Sequence, residues 1–487
     1  MFHCPIQVAR REEKFVPDAR RVITRLFLPG STERIKSIIQ RVLAMDEDGA
    51  ARWLERVIRN FATRHKHLSA VWQAHFDEVA HLIESDTPLS VERQHLIGAY
   101  LTSEYSFEAA ALFNPSIVAH HDQSGLPDGA LRFLMSLRAT GEGHVSSIVF
   151  RTGIIAADGE MHFDPVSPFA HSLKPKRDTR YDKQTFFYKV IEVGAYTDQA
   201  GDVLDRLGDT FMLAELEEAI ADVRNQPGDG EAFNATAERL LWVARSNYEL
   251  ELPPRTNVSE VVIFPSTENE SRGIEDMRLV RFQDDDGTVV YYGTYTAYNG
   301  FTILPQLMEA RDFCAIRIMT LNGKYAQNKG HALFPRRVGG WYMMSSRVDG
   351  ENLYLMKSKN VRFWNDAEKV QVPVRPWEFV QIGNCGSPLE TEHGWLLLTH
   401  GVGPMRQYCI GVSLLDLRDP LRVLGHLREP LLVPLESERD GYVPNVVYSC
   451  GAIIHQDRLI IPYAMSDSAT SCATVDVNEL LFHLRKS

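Results

Sequence analysis

The stretch Asp286-Gly287-Thr288-Val289-Val290-Tyr291-Tyr292-Gly293-Thr294-Tyr295 decides the fold. An Asp-Gly turn signal opens a run of β-branched and aromatic residues, the composition of a strand that leaves a tight turn. The same phrase recurs along the chain. Residues 131–137 follow Asp128-Gly129, 341–344 follow Gly339-Gly340, 395–399 follow His393-Gly394, and 459–463 follow Gln456-Asp457. Most are succeeded by a second run, at 145–150, 352–356, 408–414 and 473–477. From the second unit to the fifth, the turns at 287, 340, 394 and 457 stand 53, 54 and 63 residues apart. Recurrence every 40–60 residues or so, with several strands per unit, is the pattern of propeller blades. The expected fold is mainly β, a five-bladed β-propeller.

Outward from these units the texture is helical. Ser31 offers an N-cap, and Ile35, Ile38, Ile39, Val42 and Leu43 form a helical stripe behind it. Trp53, Leu54, Val57, Ile58 and Phe61 continue the pattern, and further helices are expected near 68–83 and 91–102. The reading therefore divides the chain into an α-helical N-terminal region, 1–105, and a propeller, 106–487. The long interval between the first unit and the second is explained by an insertion at about 198–250. There Leu213, Leu216, Ile220 and Val223 form one stripe, and Leu240, Leu241, Val243 and Ala244 another. A turn at Gln226-Pro227-Gly228-Asp229-Gly230 separates them. This is an inserted helical hairpin, expected to pack on the N-terminal helices. Such additions cover an edge, extend a cleft or support a homo-oligomer.

Bulk charge narrows the partners. The chain has 487 residues, with 52 basic and 64 acidic side chains and a net charge of -12. That excludes nucleic acid and anionic membrane as expected partners, which need a basic footprint, but leaves room for a small anion in a local basic pocket. The six cysteines, Cys4, Cys314, Cys385, Cys409, Cys450 and Cys472, are scattered and read as free thiols in a reducing compartment. The N-terminus has no apolar signal core, and no apolar run has the length of a membrane span. A cytoplasmic location is expected. His75 and His81 are not spaced for joint metal ligation, and no zincin, Walker or nucleophile-elbow motif is present, so no metal site is expected.

The chemistry centres on Gly273-Ile274-Glu275-Asp276-Met277-Arg278. Strand alternation predicts that Glu275 points away from Asp276, while Asp276 and Arg278 share a face. Taken alone, such a string reads as a weak surface ion pair. Its weight comes from equivalent positions elsewhere: Asn114 and Arg138 in the first unit, Tyr298 with Asp276 and Arg278 in the second, Lys329 and Arg347 in the third, His400 in the fourth and Asp467 in the fifth. Individually, Lys329 is a loop lysine, Arg347 a turn cap with Asp349, His400 a core histidine and Asp467 a turn residue. Together they mark one mouth of a central channel.

These residues carry a resemblance. Gly273–Arg278 is similar to the G-x-E-D-P-R motif of glycoside hydrolase family 130, the β-mannoside phosphorylases and their hydrolytic relatives. Phe113-Asn114-Pro115, Thr294-Tyr295-Thr296-Ala297-Tyr298, Asn328-Lys329 through Phe334-Pro335, Ser346-Arg347, Gly383 to Thr391, His400-Gly401-Val402, the segment 443–447 and Ser466-Asp467 follow in the family's order. The resemblance implies an inverting glycoside phosphorylase that cleaves β-mannosides with inorganic phosphate to α-mannose 1-phosphate, phosphate being a co-substrate and no cofactor being needed. It implies Asp276 as general acid, with a raised pKa, and Lys329 and Arg347 as phosphate ligands. Asn114, Arg138, Arg278, Tyr298, His400 and Asp467 would orient sugar and phosphate. Glu275 is a sugar contact, a structural partner or a base. Met277 replaces the family's proline, and Ser346 replaces a histidine that often helps hold phosphate. Two alternatives remain open at this point. One is an inverting β-mannosidase with Glu275, Glu351 or Glu390 as base. The other is a non-catalytic sugar-binding propeller.

Overall fold

The alternating runs pair as their turns dictate. The computed structural model describes residues 5–83, 88–173, 175–176, 180–225, 230–252, 256–301 and 303–486, and the chain is mainly β. Cys4 and the turn at 226–229 lie outside the described residues. From Ala111 onward the larger strands form five successive antiparallel groups among the described residues. The first is Ala111–Ala119, Leu131–Thr140, Ser146–Ile155 and Met161–Phe163. The second is Gly273–Gln283, Val289–Tyr298, Ile303–Ala310 and Ala315–Thr320. The third runs from Lys329–Leu333 to Asp366–Gln371, and the fourth from Gln381–Asn384 to Val423–His426. The fifth contains Val447–Tyr448, Arg458–Met465 and Ala469–Asp476.

The outer strand of the fifth group comes from the other end of the chain. Val8–Arg10, expected in a helical region, pairs antiparallel with the last long strand, Val8 opposite Val475. The N-terminal helices follow as Thr32–Leu43, Glu47–Phe61, Leu68–Asp77 and Val91–Tyr100, around a core of Ile35, Ile39, Trp72, Leu96 and Ile97. Ser31 occupies the N-cap position of the first helix, although its side chain makes no capping bond. The helical region is tied to the first strand group by a buried ion triad. Glu108 accepts from Arg21 at 3.0 Å and from Arg151 at 3.1 Å. Removing one member of such a triad strands a buried charge, at a cost of about 3–5 kcal/mol.

The insertion is larger than the expected hairpin. Helices Lys183–Glu192 and Asp198–Asp205 precede Leu213–Arg224 and Gly230–Arg245. The two extra helices are short and interrupted by polar turns, which hides their period. The four share a core of their own, separate from that of the N-terminal helices on which they were expected to pack. They lean instead on the second and third strand groups. Trp242 packs on the second group's core, Lys189 Nζ donates to the Leu321 carbonyl at 2.8 Å, and Tyr188 meets Phe363 edge-on. The next strand, Tyr248–Glu251, then extends the second group by pairing with Ala315–Thr320. No helix of the described residues is long and apolar enough to cross a membrane.

Candidate active site

Each strand group presents its polar residues at one place: where the start of its first strand pairs with the end of its second. Phe113 pairs with Arg138, Gly273 with Tyr298, Lys329 with Arg347, Gly383 with His400 and Val447 with Met465, two residues before Asp467. Bonds between groups hold these starts together. Ser116 Oγ accepts from the Leu279 amide, Asn384 Nδ2 donates to the Gly330 carbonyl, and the Cys450 amide donates to the Pro115 carbonyl.

The first strands are not regular there. Register shifts fall between Phe113 and Ser116, between Glu275 and Arg278, and between Lys329 and Ala332. Asn114, Asp276 and Asn328 take positive φ values of 49°, 56° and 64°, and Ser466 and Asp467 take 48° and 50°. A bulge inserts a residue and re-aims the side chains beside it. Non-glycine residues held in the left-handed region collect at functional sites.

The bulge overturns the expected directions around Asp276. Glu275 and Asp276 do not point apart, because alternation is broken between them. One guanidinium takes both: Arg138 Nη2 donates to Glu275 Oε1 at 3.0 Å and Nη1 to Asp276 Oδ1 at 3.3 Å. Asn114 Nδ2 donates to the same Asp276 oxygen at 2.6 Å. Arg278 does not bond the Asp276 carboxylate. Its Nη1 donates to the Asp276 backbone carbonyl at 3.0 Å, Nη2 to Tyr448 Oη at 2.7 Å and Nε to Asn384 Oδ1 at 3.2 Å. Arg278 is thus a buried clamp on the bulge. Tyr448 and Asn384, its partners, were not singled out by sequence as site residues, although Tyr448 follows the 443–447 motif directly.

Across from the acids stands a basic wall. Lys329 Nζ donates to the second oxygen of Glu275 at 2.6 Å. Arg347 Nη1 lies 3.3 Å from His400 Nε2. His400 Nδ1 faces the Asn384 carbonyl at 3.0 Å, so that nitrogen carries the proton and Nε2 accepts from Arg347. Burial, then Arg347, pushes the His400 pKa down to about 3, which keeps the ring neutral. Tyr408 stacks on it. The expected cap between Arg347 and Asp349 is absent. Asp349 is used by Asn352 and Tyr354. Ser346 is fully buried on the strand face opposite Arg347.

Tyr298 is the least integrated of the expected residues. Its hydroxyl donates to the Gly300 carbonyl at 2.9 Å, on the rim. Glu390 is also remote, in an exposed pair with Arg336, and Glu351 is exposed. Cys385 is buried, and burial pushes its thiol up to about 12, so it is not a nucleophile at neutral pH.

The two aspartates titrate in opposite directions. Burial alone would raise Asp276, but Arg138, Arg278, the Asn114 amide and Lys329 together hold it below the usual carboxylate range. The rise expected at Asp276 is one caused by a bound sugar; the raised carboxyl here is at 467. Burial, then the Asp276 charge, pushes Asp467 up to about 6. Three site atoms, Asn114 Oδ1, Arg138 Nε and Arg347 Nε, are buried without a partner among the described residues. Buried polar atoms are rarely left so unless something else completes them. Four cations (Arg138, Arg278, Lys329 and Arg347) face three carboxylates (Glu275, Asp276 and Asp467), a local positive surplus in a chain of net charge -12.

A family model described as beta-1,4-mannooligosaccharide phosphorylase matches residues 254–486. The chain is 31% identical over 230 residues to the 1,2-beta-oligomannan phosphorylase of Thermoanaerobacter sp. (strain X514), covering 45% of this chain and 74% of that one. It is 29% identical over 230 residues to the beta-1,2-mannobiose phosphorylase of Listeria innocua, covering 46% and 63%. With the 4-O-beta-D-mannosyl-D-glucose phosphorylase of Bacteroides fragilis it shares 33% over 281 residues, 53% of this chain and 70% of that one. The chain belongs to glycoside hydrolase family 130.

Proposed function

We propose that this protein is an inverting β-mannoside phosphorylase, and that the five strand groups are the blades of a five-bladed propeller around the site. The blade reading is supported by five consecutive antiparallel groups, the first strands of the first four touching in turn, with the N-terminal strand completing the fifth. The observation that carries the activity is the basic wall beside the acid pair: Lys329 and Arg347, the latter steadied by neutral His400, in a site of positive surplus. A dianionic nucleophile needs such fixed donors. A hydrolase would need a free carboxylate base instead. Of the three glutamates weighed as that base, Glu275 is held by Arg138 and Lys329, and Glu351 and Glu390 are exposed.

In this reading phosphate binds Lys329 and Arg347 and attacks the anomeric carbon. The glycosidic C–O bond breaks on the opposite face, and α-mannose 1-phosphate forms by inversion. Asp276 supplies the proton, by way of a sugar hydroxyl, to the departing oxygen. Phosphate draws the Lys329 charge toward itself and the sugar displaces water, and both changes move Asp276 upward toward the value an acid requires. Asn114, Arg138 and Asp467 orient the mannosyl ring. No cofactor beyond the phosphate co-substrate enters this scheme, and a reducing cytoplasm suits the free thiols. The test is a panel of β-mannobioses incubated with and without phosphate. Phosphate-dependent release of mannose 1-phosphate, abolished by Asp276→Asn, is expected. Phosphate-independent release of mannose would sink the proposal.

A further inference from the structure

A second gathering of cations lies where the insertion meets the strand groups. It lines a cavity of about 310 Å³, at the lower end of the range of ligand pockets, about 300–1,000 Å³. Arg180 and Asp182, on the short strand Arg180–Asp182, and Lys189, on the helix that follows, reach it from the insertion. Glu249 and Arg317 come from the paired outer strands of the second group, and Arg362 from the third group. None of the lining residues belongs to the Asp276 site. Arg317 lies on Ala315–Thr320, three strands out from Gly273–Gln283 in one sheet, about 14 Å away at the spacing of neighbouring strands.

The charges of this cavity do not cancel. Asp182 is engaged by its own helix, accepting from the Thr185 amide at 2.8 Å and from its hydroxyl at 2.7 Å. Glu249 accepts from Arg317 Nε at 2.8 Å, and Arg317 Nη1 stands 3.9 Å from Glu309. The buried Lys189 ammonium is taken by the Leu321 carbonyl at 2.8 Å and by Glu192 at 3.2 Å. What remains is guanidinium. The side chains of Arg180 and Arg362 make no hydrogen bond or ion pair among the described residues, and Arg317 keeps Nη2. Unpaired guanidiniums in one recess favour an anion shared between them, and their planar forks match phosphate oxygens two at a time. Buried Tyr181, Phe186 and Ile318 line the same cavity, an apolar wall that suits the carbon body of an ester better than bare phosphate. We propose that this cavity is a second anion site, which takes a small phosphate ester of the size of a sugar phosphate. The bound ester bridges the insertion, through Arg180, to the strand groups, through Arg317 and Arg362. The assignment does not depend on the phosphorylase reading.

The test keeps the two sites apart. The full chain carrying Lys329→Ala and Arg347→Ala is titrated calorimetrically with inorganic phosphate, mannose 1-phosphate and mannose 6-phosphate. One equivalent of at least one ester is expected to bind, with inorganic phosphate at least about tenfold weaker. Adding Arg180→Ala or Arg362→Ala is expected to weaken the ester by about tenfold or more, the worth of one charge-assisted bond. In the chain with Lys329 and Arg347 intact, the same two substitutions are expected to remove one equivalent of ester, a reading that needs no alteration of the Asp276 site. No binding of either ester, ester affinity and stoichiometry indifferent to both arginine substitutions, or inorganic phosphate as tight as the esters overturns the proposal.

Discussion

Asp467→Asn tests whether the site is built at a cost to the fold. In the folded protein the Asp467 carboxyl is pushed from 3.8 up to about 6, burial first and the Asp276 charge second. Between those values the native state keeps a proton that the unfolded chain releases. Stability therefore falls as pH rises through that window, and above about pH 6 the whole cost is present. The gap corresponds to about 3 kcal/mol at about 1.4 kcal/mol per pH unit. Asp467 is partly open to solvent, and screening reduces the figure to about 1–2 kcal/mol. Asparagine keeps the shape, tolerates the positive φ of 50° and cannot ionise. Urea denaturation of both proteins at several pH values between 4 and 7.5 is the assay. The variant should match the wild type near pH 4 and gain progressively to a plateau above pH 6.5, while phosphorolysis should fall by at least about tenfold under the proposal that Asp467 orients the mannosyl ring. Rising stability with falling activity is the mark of a residue kept for function. A variant equally or less stable at pH 7.5, or a difference that does not change between pH 4 and 6.5, refutes the reasoning.

Three further outcomes follow from the geometry. Lys329→Ala should raise the KM for phosphate by about 10–100-fold, the worth of one charge-assisted bond, with a smaller change for the mannoside; steady-state kinetics with each substrate varied would expose an equal change in both, which the assignment forbids. Arg278→Lys should cost about 2–3 kcal/mol of stability and most of kcat, since an ammonium cannot span Asp276 O, Tyr448 Oη and Asn384 Oδ1 with the same fork; denaturation and turnover near wild type would show the clamp to be dispensable. Cys385→Ser should leave turnover within about twofold, and the wild-type Cys385 thiol should resist alkylation at pH 8 until the fold opens, because burial holds it near 12; rapid labelling of the native protein at Cys385, followed by mass spectrometry, would contradict this.

What the sequence disclosed and what it hid have the same physical origin. Strand runs were legible because each follows a turn signal and alternates or is uniformly apolar, as Val289–Tyr298 and Arg458–Met465 do. The positions of Asn114, Arg138, Lys329, Arg347, His400 and Asp467 were legible because first-strand starts and second-strand ends recur with the units. The short helices Lys183–Glu192 and Asp198–Asp205 were not, since ten and eight residues carry too little period to stand out. Nor was the triad at Glu108, whose members lie 87 and 43 residues apart.

The decisive miss was the bulge. Alternation assigns faces only while the ladder is regular, and at Glu275–Arg278 it is not. A regular strand would have set Asp276 beside Arg278 and turned Glu275 away, leaving Arg138 without its second acid and Lys329 without Glu275. With the bulge, Arg138 bridges both carboxylates, Glu275 reaches across to Lys329, and Arg278 is freed to grip the backbone beneath. The signal was present in residue type: Asn114, Asp276 and Gly330, each directly after the last paired residue before the shift in three successive first strands, are Asn, Asp and Gly, the residues that best tolerate a positive φ. Glu275 thereby acquires a structural task. It joins Arg138, which also holds Asp276, to Lys329, and in the proposed mechanism a phosphate at Lys329 would compete for the same ammonium. Arg138 and then Arg278 hold Asp276 ionised more strongly than Lys329 does, so in the proposed mechanism phosphate at Lys329 would lift only part of that hold.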